Sequence, residues 1–172
     1  RFERETNHET MALALALAEV SGESGRYVHF GATSNDILDT AAALQIKDAL
    51  QIVEKRMKEV LKALLKLAKK HKKTIMVRRT HGQHAVPITF GLKLSVWACE
   101  IGRHIERLEQ LKPRILVGKM SGAVGTGAAW GKKGPRVQEG GMLALGLNAP
   151  TTTTQILQRD RFAELISYIG LV

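Results

Sequence analysis

At 172 residues and 44% hydrophobic content, with only 5% aromatic side chains and apolar positions filled mostly by Leu, Ala, Ile and Val, the chain can form one helix-on-helix core more readily than a sheet sandwich. The single Cys99 excludes an intrachain disulfide framework and fits a reducing compartment, and no apolar run approaches the roughly 18–20 residues of a membrane span. The formal charge of +10 suits nucleic acid, a phosphate surface, an anionic small molecule or a solvated lysine face, and charge alone does not choose among them.

Residues from about Glu3 to Val20 read as a helix of good helix formers, ended by Ser21-Gly22 and Ser24-Gly25. Its second half is apolar nearly all round, which predicts burial between other helices. His8 lies one turn before that apolar part, beside Asn7 and Glu9, where an ordinary surface or core role is the plain reading. The opening Arg1-Phe2-Glu3-Arg4 is no signal sequence and carries no initiator Met, and Leu165 to Val172 ends apolar and uncapped. An interior piece of a longer chain is expected.

Thr33, Ser34, Asn35 and Asp36 are four consecutive residues of good N-cap type. One cap uses one of them; the surplus either over-furnishes the cap or holds a carboxylate or phosphate at a helix start. From Asp36 to about Lys73 no Gly or Pro interrupts the pattern. Ile46, Leu50, Val53, Met57, Val60, Leu61, Leu64 and Ala68 form one stripe of a helix over ~50 Å long, too long to stand without neighbours along its length. The lysines between positions 55 and 73 leave that stripe clear and read as a solvated face.

Thr74 to Arg79 is β-branched, a connector or brief strand, and the polar elbow Arg78-Arg79-Thr80-His81-Gly82-Gln83-His84-Ala85-Val86-Pro87 follows. With Pro87 as a first helical residue, the elbow delivers His81 and His84 just before a helix N-terminus, which suits an anionic ligand; a polar connector is the alternative. A second long helix is expected from Pro87 to Leu111, with Ile88, Leu92, Val96, Cys99, Ile101, Ile105 and Leu108 inward, Cys99 a buried inert thiol, and Pro113 marking its end. The glycine-rich run Gly118–Gly134 lacks the context of a nucleotide-binding loop and suggests close backbone approach. A further helix is expected from Pro135 to Leu147. Thr151 to Thr154 then place Gln155 at the entrance of a last helix from about Ile156.

His81 and His84 alone are weak evidence for a metal, and no HExxH, cysteine cluster or GxSxG elbow is present. What remains is a set of polar clusters at helix starts: His8, Thr33-Ser34-Asn35, Thr80-His81 and Gln155. Histidines that move a proton near neutral pH, beside groups that hold carboxylates, describe acid–base chemistry on a polyanionic substrate without a cofactor. Two rivals are a basic nucleic-acid-binding module, which would need stacking aromatics that are sparse here, and a non-catalytic helical scaffold.

Thr33-Ser34-Asn35-Asp36, Arg79-Thr80-His81-Gly82-Gln83-His84-Ala85, Ser121-Gly122-Ala123-Val124-Gly125-Thr126, and Thr154-Gln155 with Arg159-Asp160-Arg161 occur in that order over essentially the whole chain. Together they resemble the aspartase/fumarase superfamily. The Thr-His-Gly-x-His-Ala-x-Pro form of the elbow is closer to the adenylosuccinate-cleaving branch than to fumarases or argininosuccinate lyases, which usually carry Thr-His-Leu-Gln there.

The resemblance implies an all-α, elongated long-helix bundle, with residues 1–34 ending an N-terminal helical domain and 35–172 belonging to the central bundle. It also implies a cytoplasmic homotetramer with each active site built from three subunits, and no metal, nucleic acid or membrane. The implied reaction is β-elimination of fumarate from the anionic substrate adenylosuccinate, giving AMP, and from the succinyl-carboxamide ribotide of purine synthesis. By resemblance, His81 is the general acid and His8 helps position the substrate and supports the acid. Thr33 and Ser34 hold a carboxylate or phosphate, Thr80 binds a carboxylate beside His81, and Gln155 contacts substrate. Asn7-His8-Glu9 departs from the usual Arg/Lys-His-Asp, which leaves the part of Asn7 and Glu9 open. The mobile serine loop that carries the base is absent from these residues, so the stretch alone is expected to turn over less than about a thousandth as fast as the complete enzyme.

Overall fold

The computed structural model describes residues 1–172. Its elements run α1 (Phe2–Thr6), α2 (Glu9–Val20), α3 (Ser34–Lys70), β1 (Ile75–Thr80), β2 (Gln83–Thr89), α4 (Phe90–Ile115), α5 (Gly134–Ala144) and α6 (Asp160–Leu171), with short 3-10 turns at Gly22–Tyr27 and Ala128–Lys133. The fold is predominantly helical, as the sequence predicts, with one hairpin as the exception. Two compact units divide it: residues Arg1–Ile46 with Arg114–Arg161, and Lys47–Pro113 with Phe162–Val172.

The 37 residues of α3 contain no helix breaker, and its length of about 55 Å matches the expectation. Its buried positions, Asp36, Asp39, Thr40, Ala43, Leu50, Met57 and Ala68, fall on one helical stripe. Val53 and Val60, expected on that stripe, are instead 40% and 47% exposed.

In the first unit the core is Ala43, Met142 and Leu147, with Leu44, Leu116, Met120 and Ala149 packed against it. Gly118 lies so close to this core that a Cβ there would meet Met142 Sδ at 2.5 Å. The expected single helix Glu3–Val20 is broken in two. Asn7 takes a left-handed φ of 51° that ends α1, and His8 is extended and caps α2. α2 buries none of its residues, with Leu13 63% and Val20 80% exposed, so the cover predicted for it does not come from this chain. α6 starts at Asp160 rather than Ile156, because the backbone before it is tethered elsewhere: the Leu157 N–H donates to Asp39 Oδ2 at 2.8 Å.

In the second unit α3, α4 and α6 are tied by buried contacts. The Tyr168 hydroxyl donates to the His104 carbonyl at 3.0 Å and touches Met57 Sδ, and burial pushes its phenol pKa up. Glu54 of α3 accepts from Lys112 of α4 at 2.5 Å and from Lys58. These bonds, Lys112's foremost, hold the Glu54 carboxyl down at about 2 from an ordinary 4.5. Leu94, Ala98, Leu108 and Leu111 form the buried face of α4. Leu92 and Val96, expected there, are 55% and 59% exposed, and Cys99 is exposed rather than buried. α4 is thus apolar on two faces, of which this chain covers one. Pro113 lies inside the last turn of α4, which runs two residues further, to Ile115.

The elbow is the clearest departure. Pro87 opens no helix: it lies in β2, paired with Val77, and α4 begins only at Phe90. β1 and β2 pair antiparallel from Ile75↔Thr89 to Thr80↔Gln83, with an irregularity between Val77 and Arg79. His81 and Gly82 form the two-residue turn with φ of 51° and 72°, the positive pair that a tight primed hairpin requires. A two-stranded sheet has only edges, so proline is tolerated in it. Thr89 ends the hairpin and caps α4 by accepting the Leu92 N–H at 3.1 Å.

Candidate active site

In the first unit the site grows from the start of α3. Asp36, three residues after Thr33, reaches back so that the Thr33 N–H donates to Asp36 Oδ2 at 2.8 Å, half of a capping box. The other half is not made with the hydroxyl, because the Asp36 N–H donates to the Thr33 carbonyl at 3.0 Å. The Thr33 and Ser34 hydroxyls make no hydrogen bond within the chain. Two free hydroxyls at the positive end of a 37-residue helix are a natural seat for a carboxylate or phosphate.

Asp36 itself is buried, 1% exposed, and its two oxygens are fully used. Oδ1 takes the Lys119 ammonium and the Ser121 N–H at 2.9 Å; Oδ2 takes the Thr33 N–H and the Gly122 N–H at 2.9 Å. Thr40 brackets the Lys119 backbone, accepting its N–H and donating to its carbonyl, each at 3.0 Å. One turn along α3, Asp39 accepts the Leu157 N–H and Arg159 Nη1, each at 2.8 Å. Gly125, with φ of 83°, lies where a Cβ would be 2.3 Å from the Thr153 carbonyl, so only glycine lets that loop pass.

The start of α3 therefore gathers Thr33 and Ser34, the Ser121–Gly125 loop and the segment carrying Thr154 and Gln155. A cleft of about 470 Å³ is lined by Ser121, Gly125, Thr126, Gln138, Thr151 and Thr153 among others. Gln155 is exposed and does not line it, and with α6 starting later it marks no helix entrance.

His8 caps α2, its Nδ1 accepting the Met11 N–H at 3.3 Å. That bond occupies Nδ1 and leaves Nε2 on the other side of the ring, away from the cap. Asn7 and Glu9 flank it and are exposed, and none of the bonds centred on Asp36 and Asp39 includes the three. In the second unit, Thr80 and His81 stand at the tip of the hairpin, both exposed. His81 thus sits in a strained β-turn instead of before a helix, and His84 pairs across the hairpin with Arg79.

Sequence reasoning missed Lys119, Thr40 and Asp39, and read Asp36 only as a capping type. A signal for Lys119 was present: it is a lone lysine in Val117-Gly118-Lys119-Met120-Ser121, far in sequence from the lysine-rich face of α3.

The fold is mostly helical, and the family match defines its class: the family profile described as "Lyase" matches residues 2–172. The chain belongs to this lyase family. It is 56% identical over 171 residues to the adenylosuccinate lyase of Pyrococcus abyssi, covering 99% of this chain and 38% of that protein. It is 47% identical over 165 residues to the N-acetyl-S-(2-succino)cysteine lyase of Enterococcus italicus, covering 96% of this chain and 36% of that one. The crystal structure of a fumarate lyase from Mesorhizobium sp. BNC1 superposes with a TM-score of 0.88 at 42% identity, covering 98% of this chain and 40% of that chain. The chain spans no more than two fifths of the length of these relatives.

Proposed function

We propose that this chain is part of a lyase that eliminates fumarate from adenylosuccinate, giving AMP, and from the succinyl-carboxamide ribotide of purine synthesis. The observation that carries the reading is the 56% identity to an adenylosuccinate lyase along 99% of the chain. The geometry supports it with an uncapped pair of hydroxyls, Thr33 and Ser34, at the positive end of α3, suited to a substrate carboxylate or phosphate. Thr80, beside His81 on the hairpin, supplies a second hydroxyl for a carboxylate. His81, exposed at the tip, is the general acid that protonates the departing nitrogen. His8, with Nε2 turned outward from its cap bond, positions substrate between Asn7 and Glu9 and supports the acid. Gln155 contacts substrate beside the Ser121–Gly125 loop.

The assembly is a homotetramer in the cytoplasm, with residues 1–34 closing an N-terminal helical domain and 35–172 forming part of the shared bundle. The uncovered apolar faces of α2, α3 and α4 support the oligomer: Leu17 is 51%, Val60 47% and Val96 59% exposed here. No helix is long and apolar enough to cross a membrane. The second reading, elimination of fumarate from an S-succinylated thiol, is favoured by the 47% identity to a succinocysteine lyase.

The experiment is direct. The full reading frame that contains this chain, expressed and given adenylosuccinate, is expected to release AMP and fumarate with the accompanying ultraviolet change. A folded oligomer that releases neither refutes the reading.

A further inference from the structure

Resting on the reading of Thr33 and Ser34 as the substrate's anion seat, we infer that the buried pair Asp36–Lys119 is a positioning device for that seat. It holds the start of α3 and the Ser121–Gly122 turn together as one rigid, charge-neutral cradle. Neither residue reaches substrate: Lys119 is 0% and Asp36 1% exposed.

Three observations carry this. First, the Asp36 carboxylate takes four donors, three of them backbone N–H groups from two separate segments, so it fixes main chain rather than merely pairing a charge. Second, it satisfies the Thr33 N–H while the Asp36 N–H goes to the Thr33 carbonyl, which is what leaves the Thr33 hydroxyl free for a ligand. Third, an uncompensated carboxylate in the first turn of the helix would repel any anion bound at its start. The fully buried Lys119 ammonium on Oδ1 cancels that charge and leaves the helix dipole in force. A buried ion pair contributes little net stability over apolar residues of the same volume, so placement explains this arrangement better than stability does.

The test uses the full-length enzyme and adenylosuccinate. Asp36→Asn keeps the size but loses the charge and one acceptor, and is expected to raise KM at least about tenfold while kcat falls less than about threefold, the signature of lost substrate positioning. The double variant Asp36→Asn/Lys119→Met, which leaves no buried charge unpaired, is expected to fold and keep the raised KM. Met142→Ala, a core truncation, sets the comparison: a lower melting temperature with KM unchanged. Wild-type KM in Asp36→Asn, with only a lower melting temperature or kcat, overturns the inference. Failure of both Asp36 variants to fold assigns the pair to stability alone and overturns it as well. Thr33→Ala/Ser34→Ala separates the two claims. Unchanged KM there removes the anion seat, whereas a raised KM there with wild-type KM in Asp36→Asn removes only the role of the pair.

Discussion

His81 carries two demands at once. Its backbone holds a φ of 51° at the first position of a two-residue turn, and its side chain points from that turn unpaired. Asparagine is among the few residues at ease in this conformation, so His81→Asn separates the demands. The variant is expected to keep the circular dichroism and melting temperature of the parent while kcat falls about 10²–10⁴-fold, the scale for losing a general acid. A kcat near wild type would remove His81 from the chemistry. The residue scale also shows why the elbow was half legible. Ile75 and Val77 signal a strand, and Thr80-His81-Gly82 signals a polar elbow. Pro87, though, looks the same in sequence whether it begins a helix or sits on a sheet edge, and only the pairing with Val77 decides.

At the scale of elements, the stripes of α3 and α4 set the packing, and a charge tie fastens them. Glu54 has its carboxyl pKa depressed to about 2, first by Lys112. A group depressed on folding stabilises the native state above its unfolded pKa and loses that contribution as pH falls through the folded value. The gap in denaturant midpoint between the parent and Glu54→Gln is therefore expected to be full at neutral pH and to close between about 4.5 and about 2. A gap that persists at the acid end of that window would show the tie to be unimportant. Leu108, 0% exposed on α4, is expected to cost about 2–5 kcal/mol when changed to Ala, read by equilibrium unfolding. A loss under ~1 kcal/mol would place it outside the core.

Element existence was legible because long uninterrupted periodicity needs no tertiary information. The face was not: α4 is apolar on the Leu94–Ala98 side and on the Leu92–Val96 side, and the sequence pattern cannot say which one this chain covers. Asp36 and Asp39 were hidden for the converse reason. Acidic residues in the first two turns are ordinary helix furniture until their distant partners, Lys119 and Arg159, are in place.

For the whole molecule, the uncovered faces are the argument for assembly. Val60 on α3 is 47% exposed between buried Met57 and half-buried Leu61 and Leu64, the unfinished edge of a seam. Val60→Glu in the full-length protein is expected to shift the mass seen by light scattering from that of the proposed tetramer to smaller species with helicity retained. A mass unchanged by that charge would place any interface elsewhere. The roles proposed for the α3 hydroxyls and for the hairpin histidine leave the leaving group open, and the two curated relatives differ in it by name.

The decisive measurement is kcat/KM for adenylosuccinate against N-acetyl-S-(2-succino)cysteine and argininosuccinate, on one preparation of the full-length enzyme with His81→Asn beside it. The account predicts that adenylosuccinate is preferred by at least about a hundredfold, as expected of a site built to hydrogen-bond its substrate, and that its cleavage is lost in the variant. A preference for either of the other two substrates would contradict it.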